Sequence, residues 1–279
     1  MVDCHIHMVL DGVWWEDAIR RHKGGADIGF IRKTLADYQQ KGFTYLRDGG
    51  DRWGVSLMAR QLANEYGIRY RTPLAPLSKK GSYGGFIGLQ YENVKEFARL
   101  VVENRLKGAD FIKIMISGLM DFNAYGVLSQ PGQDACEISQ LIHIAHEEGM
   151  AVMAHANGAR TVEAAAAAGV DSVEHGAYLD EDALQTMAQM GTVWVPTIST
   201  VGNLLGKGRF SEDAVSRILD SALENVAKFS SMGGLLAAGT DAGAWAVPHG
   251  STTEYTWLEK AGVTPDRLEP GTEVIRNKF

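Results

Sequence analysis

AVMAHANGARTVEAAAAAGVDSVEHGA, residues 151–177, contains a complete strand–helix–strand unit. Residues 151–157 and 172–177 are short apolar runs with little alternation, the pattern of parallel strands buried on both faces. Between them, residues 159–169 read as a helix that stops at a glycine, a common C-terminal signal. Each strand carries one histidine near its end, His155 and His175.

The same unit recurs along the chain. Further strands are expected at 2–8, 43–50, 68–76, 111–117, 193–199 and 235–241. Helices are expected at 28–42, 55–67, 93–108, 138–149, 180–191, 211–234 and 253–262. Eight strand–helix units in a chain of 279 residues predict an α/β fold, a (β/α)8 TIM barrel over 1–265 with 266–279 as a C-terminal tail. A doubly wound open sheet would need a glycine-rich phosphate loop after its first strand. Met8-Val9-Leu10-Asp11-Gly12 is no such loop. The connections 79–85 and 118–134 are long and are expected over the catalytic face.

Composition narrows the partners. Hydrophobic residues make up 45% and charged residues 22%, enough apolar content for a large core. The net charge is −7 with no block of Lys and Arg, which argues against nucleic acid and anionic membranes as partners. No apolar run reaches membrane-spanning length. Cys4 and Cys136 form no disulfide framework, and Cys4 reads as a small apolar strand residue. No secretory leader is evident, so a soluble cytoplasmic protein is expected. A homo-oligomer is compatible with the apolar helices.

Barrel enzymes carry their chemistry at the C-terminal ends of the strands. His5 and His7 fall near the end of strand 1 and, two residues apart, share one face. Lys113 is in strand 4, His155 ends strand 5, His175 ends strand 6 and Asp241 ends strand 8. Any one of them alone has an ordinary explanation as a satisfied core or turn residue. Independent core histidines have no reason to collect at one rim. His143 and His146 serve as a control: they lie on a helix of the outer ring, lack the HExxH order and read as solvent-facing. His22 lies in a basic loop segment and is given no role.

These pieces resemble the amidohydrolase superfamily: Asp-Cys-His-Ile-His (3–7), Ala-Asp-Phe-Ile-Lys-Ile-Met-Ile-Ser-Gly (109–118), Met-Ala-His-Ala-Asn-Gly (153–158), Val-Glu-His-Gly-Ala-Tyr-Leu-Asp (173–180) and Gly-Thr-Asp-Ala-Gly (239–243). Residues 42–50 and Pro248-His249-Gly250, followed by Glu254, are similar to the Xaa-Pro dipeptidase (prolidase)-like and imidazolonepropionase-related branch. The resemblance implies two divalent metal ions. His5, His7 and Asp241 would hold one, His155 and His175 the other, and a carboxylated Lys113 would bridge them. Zn suits this mixed donor set, with Mn or Fe as alternatives. It further implies hydrolysis of an amide-type C–N bond in a small-molecule substrate, a dipeptide or N-acyl amino acid, by metal-activated hydroxide. Asp241 would be the catalytic base and then the acid. His249 and Arg160 could meet a substrate carboxylate, and Tyr83 and Tyr125 could face substrate from the long loops.

The sequence also departs from the family. The usual small β-sandwich is expected to be missing or truncated in this chain, with Met1 nearly abutting strand 1 and a short stretch after residue 262. Leu119 stands where a second glycine is common, and Tyr83 where a histidine is common, so prolidase specificity does not carry over. Two other readings remain open. One is a mononuclear imidazolonepropionase-like cyclic amidohydrolase or deaminase, which would not need Lys113. The other is a non-catalytic barrel scaffold.

Overall fold

The expected apolar runs form short parallel strands in a computed structural model that describes residues 1–279. The strands are β1 (Val2–Ile6), β2 (Tyr45–Asp48), β3 (Arg69–Arg71), β4 (Leu77–Lys79) and β5 (Leu89–Tyr91), then β6 (Ile112–Met115), β7 (Val152–Ala156), β8 (Ser172–His175), β9 (Val193–Val195) and β10 (Leu235–Leu236). The helices are α1 (Trp15–His22), α2 (Ile28–Gln40), α3 (Val55–Ala63), α4 (Val94–Leu106), α5 (Ala135–Glu147) and α6 (Ala159–Ala167), then α7 (Glu181–Met190), α8 (Ser199–Gly202), α9 (Glu212–Ser231), α10 (Thr253–Lys260) and α11 (Pro265–Lys278). None is long and apolar enough to cross a membrane.

Local chemistry sets the helix starts. Asp27, Asn93, Asp134, Asp180 and Ser211 each accept a backbone N–H in the first turn of α2, α4, α5, α7 and α9. Gly191 ends α7 in the left-handed conformation (φ 68°), which a residue with a side chain adopts only at a cost.

The strands pair as β1-β2-β3 and as β10-β9-β8-β7-β6-β4-β5, all in parallel. Two seams join the sheets into the (β/α)8 barrel. At one, the chain runs from β3 through residues 72–76 into β4, pairing with β2 through its first part and with β6 through its second. At the other, Cys4 N–H donates to Ala238 O (2.8 Å), Asp241 N–H to His5 O (2.7 Å) and His7 N–H to Ala242 O (2.7 Å). Residues 237–242 therefore continue the eighth staff of the barrel although only Leu235–Leu236 forms a regular ladder.

Four expectations change. The third strand, expected over 68–76, splits because Pro73 and Pro76 withhold N–H groups and Leu74 takes φ 62°. β5 adds a short strand on β4 that the sequence did not announce. His22 lies at the end of α1, not in a loop; it is buried, and its Nδ1 accepts the Asp27 N–H. The expected tail is α11, which opens with Pro265 in its first turn and packs against β10 and β9. Its Ile275, with the terminal Phe279, buries against the strand starts Val2, Tyr45 and Val193 and plugs the N-terminal mouth of the barrel. The polar residues are left to the opposite rim.

Candidate metal centre

Strand ends bring six predicted side chains together. His5, His7, Lys113, His155, His175 and Asp241 all line one cavity of about 50 Å³ at the C-terminal rim. His5 Nε2 and His7 Nε2 lie 3.3 Å apart, and each is within 3.5 Å of Asp241 Oδ1. This trio is a three-donor group with all ligand atoms inside 4.8 Å. The His175 ring sits 5.1 Å from His5 and 4.6 Å from His155, centroid to centroid.

The close approach is built into the backbone. A side chain at Gly49 would strike His7 Cε1 at 2.3 Å, so only glycine lets β2 pass behind that ring. His175 and Asp241 hold left-handed φ values of 70° and 58°. Such conformations cost on the order of 1–3 kcal/mol each and cluster at functional sites.

Outer contacts aim three of the four imidazoles; His7 Nδ1 has no protein partner. His5 Nδ1 lies 2.8 Å from Glu174 Oε2. Glu174 Oε1 in turn accepts from Arg47 Nη2 (2.7 Å) and Ser172 Oγ (2.7 Å), and Arg47 Nε donates to Cys4 O. His175 Nδ1 meets Thr197 Oγ1 at 2.7 Å, which leaves Nε2 free. His155 Nε2 is 3.2 Å from Gly118 O, so its Nδ1 is the ring nitrogen available. Partners of this kind fix the ring and raise its basicity toward a metal.

Burial governs the charges. His5 and His175 are held well below the ordinary histidine range, and His7 and His155 are lowered to about 3, in each case chiefly by burial. The imidazoles are therefore neutral and able to ligate. Burial also pushes the Lys113 amine down and the Asp241 carboxyl up. Lys113 is 1% exposed and its Nζ has no hydrogen-bond partner; Asp241 Oδ1 is likewise unpartnered. Buried polar atoms left open in this way call for an occupant. The donor set, neutral imidazoles with a carboxylate, fits a divalent metal.

The four expected substrate contacts divide. Tyr83 lines the cavity, its ring 4.8 Å from His155. His249 does not reach it: Nδ1 meets the Tyr38 hydroxyl (3.3 Å) and Nε2 the Leu10 carbonyl (2.9 Å), so both nitrogens are taken by the protein. Arg160, in the first turn of α6, is exposed and lines neither this cavity nor the chamber beside it. Tyr125 packs edge-on to Tyr178 with the Arg217 guanidinium 4.5 Å over its ring. His143 is exposed, and His146 bonds Asp171, both far along the outer ring.

Sequence reasoning missed Glu174, Arg47 and Thr197, and also Asn157, whose Nδ2 donates to Gly118 O (3.0 Å) beside His155. An acid inside the apolar run Ser-Val-Glu-His was the available signal for the first. Glu174→Gln should leave the Arg47 guanidinium buried without its counter-charge. A loss of roughly 3–5 kcal/mol is expected, a fall of about 10 °C in Tm, with metal affinity about 10–100-fold weaker. Calorimetry and competition against a chromogenic chelator check both; an unchanged Tm would remove the pair from the account.

A parallel barrel with buried candidate donors gathered at its C-terminal rim has the plan of a barrel enzyme. The chain belongs to the amidohydrolase family, whose pattern matches residues 1–268. It is 28% identical to ochratoxinase of Aspergillus niger over 223 residues, 75% of this chain and 43% of that protein. It is 27% identical to an uncharacterized protein of Mycobacterium tuberculosis over 276 residues, 95% of this chain and 69% of the other. Its structure is similar to that of a Xaa-Pro dipeptidase with bound methionine in the active site (TM-score 0.79, 22% identity, 100% of this chain and 75% of the other). It is also similar to that of A. niger ochratoxinase (TM-score 0.77, 23% identity, 96% and 68%). These structural likenesses establish the fold.

Proposed function

We propose that the chain is a divalent-metal-dependent hydrolase of amide C–N bonds, acting on a dipeptide or N-acyl amino acid. The observation that carries this is the convergence of open donors on one buried cavity: the His5–His7–Asp241 trio, two further histidines and an unpartnered lysine. The family generally uses divalent metals, and the similar proteins named as dipeptidase and ochratoxinase support an amide substrate.

His5, His7 and Asp241 would hold one ion, and His155 and His175 a second. Lys113 lines the same cavity as both sets, which supports a bridging role. As a neutral amine it can add CO2, forming an N–C bond and releasing one proton, and the carbamate offers two oxygens where the amine offered none. Zn, Mn or Fe would lower the pKa of water and polarise the scissile carbonyl. Asp241 Oδ1 faces the two histidines, leaving Oδ2 to take a proton from water and return it to the leaving nitrogen. Tyr83 and Phe86 close one side of the cavity and exclude bulk water.

A one-metal site acting on a cyclic amide or amidine is the second reading. It is favoured by the single three-donor group, and it assigns Lys113 no ligand role. Elemental mass spectrometry on protein purified without chelator decides between them: about two ions per chain for the first, about one for the second. Chelation should abolish hydrolysis of a panel of dipeptides and N-acyl amino acids by at least about 100-fold, with recovery on adding Zn or Mn. No metal bound and no turnover under any of these conditions would leave only a scaffold.

A further inference from the structure

The metal-facing cavity holds about 50 Å³, room for water and a scissile group but not for a whole substrate. A second chamber of about 390 Å³ opens beside it and shares His175 and Asp241 with it. That volume falls in the range of small-ligand pockets. Whatever amide reaches Asp241 must place the rest of its bulk there.

The chamber has an unusual wall. Trp14, Trp15, Phe86, Phe122, Phe210 and Trp245 line it, from loops that follow different strands. Their rings touch in sequence: Trp15 on Phe86 at 5.1 Å, Phe122 on Phe210 at 5.2 Å, Phe210 on Trp245 at 5.8 Å. Trp14 and Trp15 remain 50% and 46% exposed. Large rings left half-open around a concavity mark a ligand groove, because a flat apolar guest would complete their burial.

One cation stands in this wall. Arg209 is the only Lys or Arg that lines the chamber, and it does not line the metal-facing cavity. Its guanidinium lies 4.6 Å from the Trp14 ring, 4.5 Å from Trp245 and 5.2 Å from Phe210. It makes no ion pair and no hydrogen bond with the protein. The rings hold it by its faces. Arg209 is exposed and its N–H edge is uncommitted to the protein, so it can bind a carboxylate through two parallel hydrogen bonds.

We propose that Arg209 and this chamber select a substrate with a planar aromatic group whose end remote from the scissile bond carries a carboxylate. The aromatic body lies against the tryptophans, the carboxylate meets the Arg209 edge, and the amide reaches Asp241 and His175. The word amide rests on the hydrolase reading above; the selection of an aromatic anion does not.

Isothermal titration calorimetry on the full chain with three uncleavable probes tests it: naphthoate, naphthylmethanol and naphthylmethylammonium. Naphthoate should bind about tenfold or more tightly than the alcohol, and the ammonium most weakly. Arg209→Gln should erase the advantage of naphthoate and leave alcohol binding within about twofold; Arg209→Lys should restore part of it, lacking the fork. Equal affinities in the native chain would overturn the proposal. So would a naphthoate preference that survives in Arg209→Gln, the result expected if the carboxylate were held at the histidine cluster instead. An equal loss for all three probes would make Arg209 a wall support and also overturn it. If no amide is turned over while the Arg209-dependent preference stands, the hydrolase reading falls and this one remains. Turnover with no such preference has the reverse meaning.

Discussion

Asp241→Asn is expected to lower kcat on the order of 10⁴-fold, the upper end of what one general acid–base group supplies, while the fold stays intact. The backbone makes this a clean test. Asp241 sits at φ 58°, and asparagine is among the few residues that tolerate that region as well as aspartate does. An alanine there would add backbone strain to the chemical loss and confuse the two. The amide keeps the shape but cannot carry a proton at Oδ2, and it is a poor partner for a cation beside His5 and His7. Metal content should fall together with kcat. A variant whose kcat stays within about tenfold of the native value would show that another group moves the proton. No other acid borders the histidine cavity, so the proton path itself would then need redrawing.

The parts of this site that could be read in the sequence share one property. His5, His7, Lys113, His155 and His175 are polar residues set in otherwise largely apolar runs, and such runs are the local signal of buried parallel strands. Asp241 ends a run of the same kind, although its ladder breaks early and only hydrogen bonds to β1 hold it in line. Where the signal is tertiary, it fails. Glu174 and Arg47 lie 127 residues apart and show their pairing only once β2 and β8 face each other across the barrel. The chamber wall is drawn from five separate loops, each contributing one or two aromatics that look like isolated surface residues. Pro73 and Pro76 hid the true shape of the third strand, and a helix of eight residues after Trp14 was too short to announce itself. His249 shows the opposite error: a motif-like Pro-His-Gly turned out to brace Tyr38 against Leu10.

Lys113 separates stability from function more sharply than any other residue. A buried amine with no hydrogen-bond partner is a liability to the metal-free fold, because its desolvation is not offset. Lys113→Met fills the same volume with an apolar side chain, so the metal-free variant should be at least as stable as the native chain, as when other buried charges are replaced by apolar residues of similar size. Its metal content should nonetheless drop from about two ions per chain to about one, and its kcat on the order of 10³-fold, since a second metal supplies several kcal/mol of charge stabilisation. Lys113→Ala should lose the same ion but leave room beside the histidines, and millimolar acetate or propionate should recover part of the activity by placing a carboxylate where the proposed carbamate would stand. A structural lysine gives the opposite set: lower stability on replacement, unchanged metal content and no response to added acid. Unchanged metal content in both variants would leave the two-metal site without its bridge, and His155 and His175 would have to be explained as neutral packing against Gly118 and Thr197.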